Sequence, residues 1–143
     1  MPLGAFISSG EIIDTLAENP ALGHITTFGG HPVCCAAGKA SLGFILDGGL
    51  HIQANNKGKR FRTGLKHKSI KNIRGEGLFL AVQLESVKMA ESFMNEAIKN
   101  GLIIDQFLFC RDSFRIAPPL IINNDEIDYA IGLILQILNK INQ

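Results

Sequence analysis

Apolar side chains recur at helical spacing in four stretches of this chain. Two of them lie between residues 32 and 66, where Pro32 suits a first helical position and Asp47-Gly48-Gly49 separates one helix from the next. A third stretch covers about residues 90–98 and ends at Asn100-Gly101, a common C-terminal signal. The fourth continues to about residue 141 and begins with Asn123 or Asn124, either of which can cap it.

The first twenty residues predict a short strand followed by a helix. Leu3–Ile7 is apolar and strand-like from the start of the chain. Ser8 and Glu11 have the spacing of a capping box, so a helix is expected from there to about Glu18, and Asn19-Pro20 ends it.

Strands and helices alternate in the second part of the sequence, after a boundary between Cys34 and Gly49. Residues 77–84 form a nearly continuous apolar run, which predicts a strand covered on at least one face. Residues 102–108 and 113–117 predict a hairpin whose polar turn is Arg111-Asp112. The glycines of Arg74-Gly75-Glu76-Gly77 could admit a ligand, but a turn that leads into the first of these strands is favoured.

Composition narrows the function only slightly. With 143 residues, 46% hydrophobic and 19% charged, the chain is an ordered globular protein, and its net charge of +1 gives no general attraction to nucleic acids or acidic membranes. No stretch reaches the ~20 apolar residues of a membrane span, and we expect a cytoplasmic protein. Cys34, Cys35 and Cys110 are interpreted as reduced core thiols, and the four histidines lack a zinc-binding spacing.

Thr27 to Pro32, which reads TFGGHP, has the composition of an anion-binding loop. Glycines let the backbone approach a ligand, and the first turn of the following helix exposes N–H groups that favour a phosphate. Thr26 and Thr27 add two hydroxyl groups. The alternative is an ordinary turn with a threonine cap.

Arg115 is the second candidate for a binding residue. Alternation along the strand puts Phe114 and Ile116 on one face and Arg115 on the other, where its guanidinium can bind a planar carboxylate through two parallel hydrogen bonds. The alternative is an edge-strand arginine that faces water. Seven basic residues between Lys57 and Lys71 can be read as a nucleic-acid surface, but a solvated helix face is favoured because the nearby Phe61 lies on the apolar stripe.

Four segments, MPLGAF, HITTFGGHP, RGEGLFLAVQL and FRIAPPLII, occur in this order along the chain. Together they resemble the C-terminal third of a class III aminotransferase, the fold-type-I pyridoxal-phosphate group that includes the ornithine and acetylornithine aminotransferases. The resemblance implies an α/β fold in which residues 1–35 are a remnant of the large cofactor-binding domain. Residues 36–143 are then the C-terminal small domain, a small, mostly antiparallel sheet packed by helices.

The resemblance also implies roles for individual residues. Thr27, with Thr26 beside it, corresponds to the threonine that binds the phosphate of pyridoxal 5'-phosphate in the partner subunit, so a homodimer is expected. Arg115 corresponds to the arginine that binds the substrate α-carboxylate. Arg74, Gly75, Gly77 and Leu78 match the start of the small domain, and no catalytic role follows for them.

The family's Schiff-base lysine lies a few residues before the segment that corresponds to Met1–Phe6. We therefore expect no catalytic residue in this chain, and we expect it to be inactive alone. The reaction implied for the parent enzyme moves an amino group between an ornithine-like or acetylornithine-like ω-amino donor and a 2-oxo acid. The alternative is a standalone α+β binding or regulatory module derived from such an enzyme.

Overall fold

The structure, a computed structural model, describes residues 1–21 and 23–142. The chain divides into two compact units, Met1–Gly48 and Gly49–Gln143. Among the described residues, no single helix is long and apolar enough to span a membrane, and only the consecutive helices Pro32–Asp47 and Leu50–Gly64 taken together meet that length and composition.

The described residues of the first unit form two helices, α1 (Gly10–Asp14) and α2 (Pro32–Asp47). The strand expected at Leu3–Ile7 is wrong, because residues 1–9 have no regular secondary structure. An isolated strand cannot satisfy its backbone hydrogen bonds, and no other strand is found among the described residues of this unit. The first helix is also shorter than expected: it follows Ser9, whose side chain makes no capping hydrogen bond.

Pro32 is the first residue of α2, as its fixed backbone angle predicted. The helix ends at Asp47, and the amide of the following Gly48 donates to the carbonyl of Phe44 over 3.1 Å. Gly49 then adopts a left-handed conformation with a φ of 58°, which a glycine reaches without steric strain. The predicted break between the two helices is therefore confirmed.

The described residues of the second unit form three helices and four strands. In chain order they are α3 (Leu50–Gly64), β1 (Ile70–Glu76), β2 (Phe79–Leu84), α4 (Val87–Lys99), β3 (Asp105–Phe107), β4 (Cys110–Ile116) and α5 (Asn124–Ile141). The strands form one antiparallel sheet in the order β1-β2-β4-β3. The α/β class and the small antiparallel sheet packed by helices are thus confirmed.

The helices and one face of the sheet enclose the hydrophobic core. The sheet contributes alternate residues that are completely or almost completely buried, and the helices contribute the side chains that pack on them. The most deeply buried of these residues are Leu80, Val82, Leu84, Phe114 and Ile116 from the sheet and Phe61, Phe93, Ile127, Ile134 and Leu138 from the helices. The opposite face of the sheet carries no helix of this unit among the described residues and holds most of its polar side chains.

Two details of the sheet differ from the sequence prediction. Arg74-Gly75-Glu76 is part of β1, a strand that the sequence pattern did not indicate, and the turn is limited to residues 77–78. The second hairpin turns at residues 108–109, whereas Arg111-Asp112 lies within β4. The side chains of this turn, Leu108 and Phe109, are apolar but almost fully exposed. An apolar pattern normally indicates a strand, so the sequence prediction placed the turn too far along the chain.

The last helix begins as expected. Asn123 accepts a hydrogen bond from the amide of Glu126 over 2.9 Å, and the Glu126 carboxylate accepts one from the Asn123 amide over 2.8 Å. This reciprocal arrangement is a capping box and satisfies two amides that the helix itself leaves unpaired. At the other end, Lys140 donates to Glu96 of α4, which also accepts from Lys99 over 2.8 Å.

Glu96→Gln is expected to weaken the fold in a pH-dependent way. The hydrogen bonds from Lys140 and then Lys99 lower the pKa of Glu96 from 4.5 to about 2. Because this pKa is lower in the folded chain, the stabilisation is complete above about pH 4.5 and is lost as the pH falls towards 2. Urea unfolding at pH 7 and at pH 2.5 should show a deficit for the variant that shrinks at the lower pH.

Glu85→Gln provides the control, since Glu85 is exposed and has no salt bridge among the described residues. A deficit of the Glu96 variant that stays constant across this pH range would contradict the assignment.

Candidate functional site

Arg115 lies on an interior strand, in the middle of the sheet face that the helices leave open. In the sheet register Arg74 is opposite Ala81, Ala81 is opposite Arg115, and Arg115 is opposite Asp105. These residues form a row across all four strands, while Phe114 and Ile116 point into the core. Arg115 is therefore not on an edge strand, because β4 has a neighbour on each side, although its side chain is partly exposed to water.

The Arg115 guanidinium is half-buried and pairs with the Asp105 carboxylate through Nη2 and Oδ2. Asp105 is its only hydrogen-bond partner among residues 1–21 and 23–142. A guanidinium presents five N–H donors and can bind a carboxylate through two parallel hydrogen bonds. Most of this donor capacity is therefore available to a ligand.

A cavity of about 290 Å³ adjoins Arg115 in the second unit. Its other lining residues are apolar and come from the segment before β3, from the segment after β4 and from the helices. They include Leu102, Ile103, Ile104, Pro118, Pro119 and Ile122. Arg115 is the only charged residue among the described residues of this lining. Because its guanidinium lies on the opposite face of the sheet from Phe61, Ile116 and Ile134, the free donors rather than the cavity define the candidate binding group.

A polar cluster joins β1, β2 and β4, and no local sequence pattern indicated it. Arg74 donates to the Sγ of Cys110 over 2.9 Å, and Gln83 donates to Asp112 over 2.8 Å. The hydrogen bond from Gln83, followed by that from the Cys110 thiol, lowers the pKa of Asp112. Ser113 is completely buried and donates to the same carboxylate over 3.2 Å. This cluster ties β1, β2 and β4 together.

Thr26 and Thr27 lie in the first unit, in the loop that precedes α2, and both are exposed. Neither hydroxyl has a hydrogen-bond partner in the part of the chain that the structure describes. Gly30 has a φ of 70°, which a glycine reaches without steric strain, whereas a Cβ added at Gly29 would meet only the rotatable hydroxyl of Thr26.

Four of the seven basic residues between Lys57 and Lys71 have structural partners in the described part of the chain. Lys57 donates to the carbonyl of Leu120 over 2.7 Å, and Lys71 donates to that of Glu85 over 2.9 Å. Arg62 donates to two carbonyls of β1. Arg60 pairs with Asp128 of α5, which raises the pKa of the arginine and lowers that of the aspartate. These contacts favour the interpretation as a helix face over a nucleic-acid surface.

The cysteines agree only in part with the expectation of reduced core thiols. All three are free, but Cys35 is exposed, and Cys34 and Cys110 are only half-buried. Among the described residues, no group of three or more histidine, cysteine, aspartate or glutamate side chains could hold a metal ion.

The second unit is a two-layer α/β structure whose helices cover one face of an antiparallel sheet, leaving a polar face with a partly free guanidinium. Comparison with known proteins identifies the family of the chain. The profile of the class-III aminotransferases matches residues 1–138. The acetylornithine aminotransferase of Caldanaerobacter subterraneus subsp. tengcongensis is 34% identical over 145 residues, which cover 98% of this chain and 35% of that protein. The chain therefore belongs to the class-III aminotransferase family.

Solved structures agree with this result. The ornithine aminotransferase of Toxoplasma gondii matches with a TM-score of 0.78 and 28% identity, over 93% of this chain and 32% of that one. An (S)-enantioselective omega-transaminase from Thermomicrobium roseum matches with a TM-score of 0.79 and 26% identity, over 94% of this chain and 33% of that one. The chain thus spans about one third of the length of the relatives it matches.

Proposed function

We propose that this chain is the part of a pyridoxal-phosphate-dependent aminotransferase that binds the cofactor phosphate and a substrate carboxylate. The parent reaction moves an amino group between an ω-amino donor of the ornithine or acetylornithine type and a 2-oxo acid. The proposal depends mainly on Arg115, whose half-buried guanidinium has a single carboxylate partner, Asp105, and therefore keeps donors free. Such a group can hold the acidic end of an amino acid or a 2-oxo acid in a fixed orientation.

The loop before α2 supports the cofactor part of the proposal. Family membership implies pyridoxal phosphate, which is present at partial occupancy in the active site of the T. gondii enzyme. The free hydroxyls of Thr26 and Thr27, close to the start of a helix, suit a phosphate group. We assign the phosphate contact to Thr27, with Thr26 beside it. The bound cofactor would supply the electron sink for amino-group transfer.

We propose that these 143 residues bind and orient but do not perform the covalent step. In the described part of the chain no lysine lines the cavity beside Arg115. Lys57, Lys71, Lys99 and Lys140 donate to backbone carbonyls or to Glu96. An amine held by such contacts is not positioned as a nucleophile.

The working form that we propose is a cytoplasmic homodimer. The resemblance assigns Thr27 to the phosphate of the partner subunit's cofactor, so a complete site requires two copies. Free cysteines fit a reducing compartment.

Arg115→Gln is expected to weaken binding of 2-oxoglutarate by about tenfold or more, because a hydrogen bond to a charged group contributes roughly 1.5–3 kcal/mol. The dissociation constant can be measured by NMR titration of the ¹⁵N-labelled chain. Arg60→Gln is the control, since Arg60 has a similar exposure but lies in another ion pair. Equal loss in both variants would contradict the carboxylate role. When pyridoxal phosphate, N-acetylornithine and 2-oxoglutarate are added together, we expect the chain to form no glutamate from the 2-oxoglutarate. Glutamate formation would contradict its assignment as a binding part.

A further inference from the structure

We propose that Asp105 competes with substrate for Arg115 and thereby makes the site select α-amino acids over 2-oxo acids. The inference rests on the proposed function of Arg115 as the carboxylate-binding residue. It concerns a residue of β3 for which the sequence pattern gave no role.

Both oxygens of the Asp105 carboxylate accept a hydrogen bond. Its Oδ1 accepts a hydrogen bond from the amide of Gln106 over 2.8 Å, and its Oδ2 accepts from Nη2 of Arg115. Asp105 is directly opposite Arg115 in the β3–β4 register. A fixed negative charge therefore lies where the carboxylate of a ligand would approach the guanidinium.

The ion pair between Arg60 and Asp128 has two hydrogen bonds, whereas the pair between Arg115 and Asp105 has one. Asp128 uses both oxygens, accepting from Nε over 2.7 Å and also from Nη2, and it joins α3 to α5. Asp105 engages a single nitrogen, on a strand that backbone hydrogen bonds already pair with β4. The Arg115 pair is therefore not needed to bring the two strands together, and it leaves the guanidinium only partly occupied.

A ligand carboxylate must share Arg115 with Asp105 or displace it, and in either case it meets the negative charge of Asp105. A 2-oxo acid has no positive charge to offset this repulsion. An α-amino acid carries an ammonium group next to its carboxylate, and this group can face Asp105 while the carboxylate binds Arg115. The pair thus provides complementary charges for a zwitterionic head group.

The test is an Asp105→Asn variant, which keeps the side-chain size and removes the charge. L-glutamate and 2-oxoglutarate are titrated separately into the ¹⁵N-labelled chain, and the Nε–Hε signal of Arg115 is followed by NMR. We expect the dissociation constant for 2-oxoglutarate to fall by about three- to fivefold, in line with an exposed ion pair. The constant for L-glutamate should stay unchanged or rise. Asp128→Asn, which removes a charge from the other pair, should alter neither.

The outcomes separate this inference from the proposed function. If both ligands bind through Arg115 and Asp105→Asn changes their constants equally or not at all, Asp105 has no selective role, while the role of Arg115 stands. If neither ligand shifts the Arg115 signal in the wild type or the variant, the inference fails together with the carboxylate role. If Asp128→Asn reproduces the effect, the change reflects net charge and the inference is wrong.

Discussion

Phe114→Ala is expected to lower the free energy of unfolding by about 3–5 kcal/mol, the usual loss for a large aromatic side chain in a core. Phe114 is completely buried and stacks on Phe93, with 4.3 Å between ring centroids and 20° between ring planes. The substitution would remove that stacking and leave a cavity between α4 and β4. Because domains of this size are stable by only about 5–15 kcal/mol, urea unfolding should show a large fraction of the total stability lost.

Phe109→Ala is the matched control, since it makes the same chemical change at a fully exposed turn. Its effect should lie within about 0.5 kcal/mol of zero. Similar losses in the two variants would mean that the core is not arranged as described. The Phe114 variant should also lose binding at Arg115, the next residue along β4, if that strand no longer holds its geometry.

Gly58→Ala is expected to destabilise the second unit by about 1–3 kcal/mol, as overpacking of a core usually does. Gly58 is buried in α3, where an added Cβ would overlap the backbone carbonyl of Gly77 in the turn between β1 and β2. That turn has little freedom to move, because Gly77 has a φ of 52° and connects two paired strands. Thermal or urea unfolding measures the change directly.

Gly132→Ala makes the same substitution in α5, where nothing lies within 4 Å of the added Cβ. Alanine has the higher helix propensity, so this variant should gain about 0.5–1 kcal/mol. The two variants should therefore change stability in opposite directions. A Gly58 variant as stable as the Gly132 variant would show that α3 does not contact the turn so closely.

The helices of the second unit could be predicted from the sequence because their apolar stripes face a single core. The strand β1 could not, since only Ile70 and Ile73 are even half-buried along it and the rest of the strand is polar and exposed. Outer strands have this composition because one edge and often one face remain in water. The second turn was misplaced for the opposite reason, because Leu108 and Phe109 are apolar but exposed.

The position of Arg115 could be predicted from the local sequence pattern, but its partner Asp105 could not. Alternation in β4 was enough to separate Arg115 from Phe114 and Ile116, and it placed the guanidinium away from the core. The pairing with Asp105 depends on the register between β3 and β4, which shifts between residues 106 and 107. An irregularity of this kind has no local sequence signal.

Arg62 has a consequence for how the folded chain behaves among other copies. It donates to the carbonyls of Ile73 and Gly75 along β1, which is an outer strand of the sheet. Unpaired carbonyls on an outer strand can recruit a strand from another molecule and start aggregation. By occupying two of these acceptors with its own side chain, the protein protects that border against intermolecular strand addition.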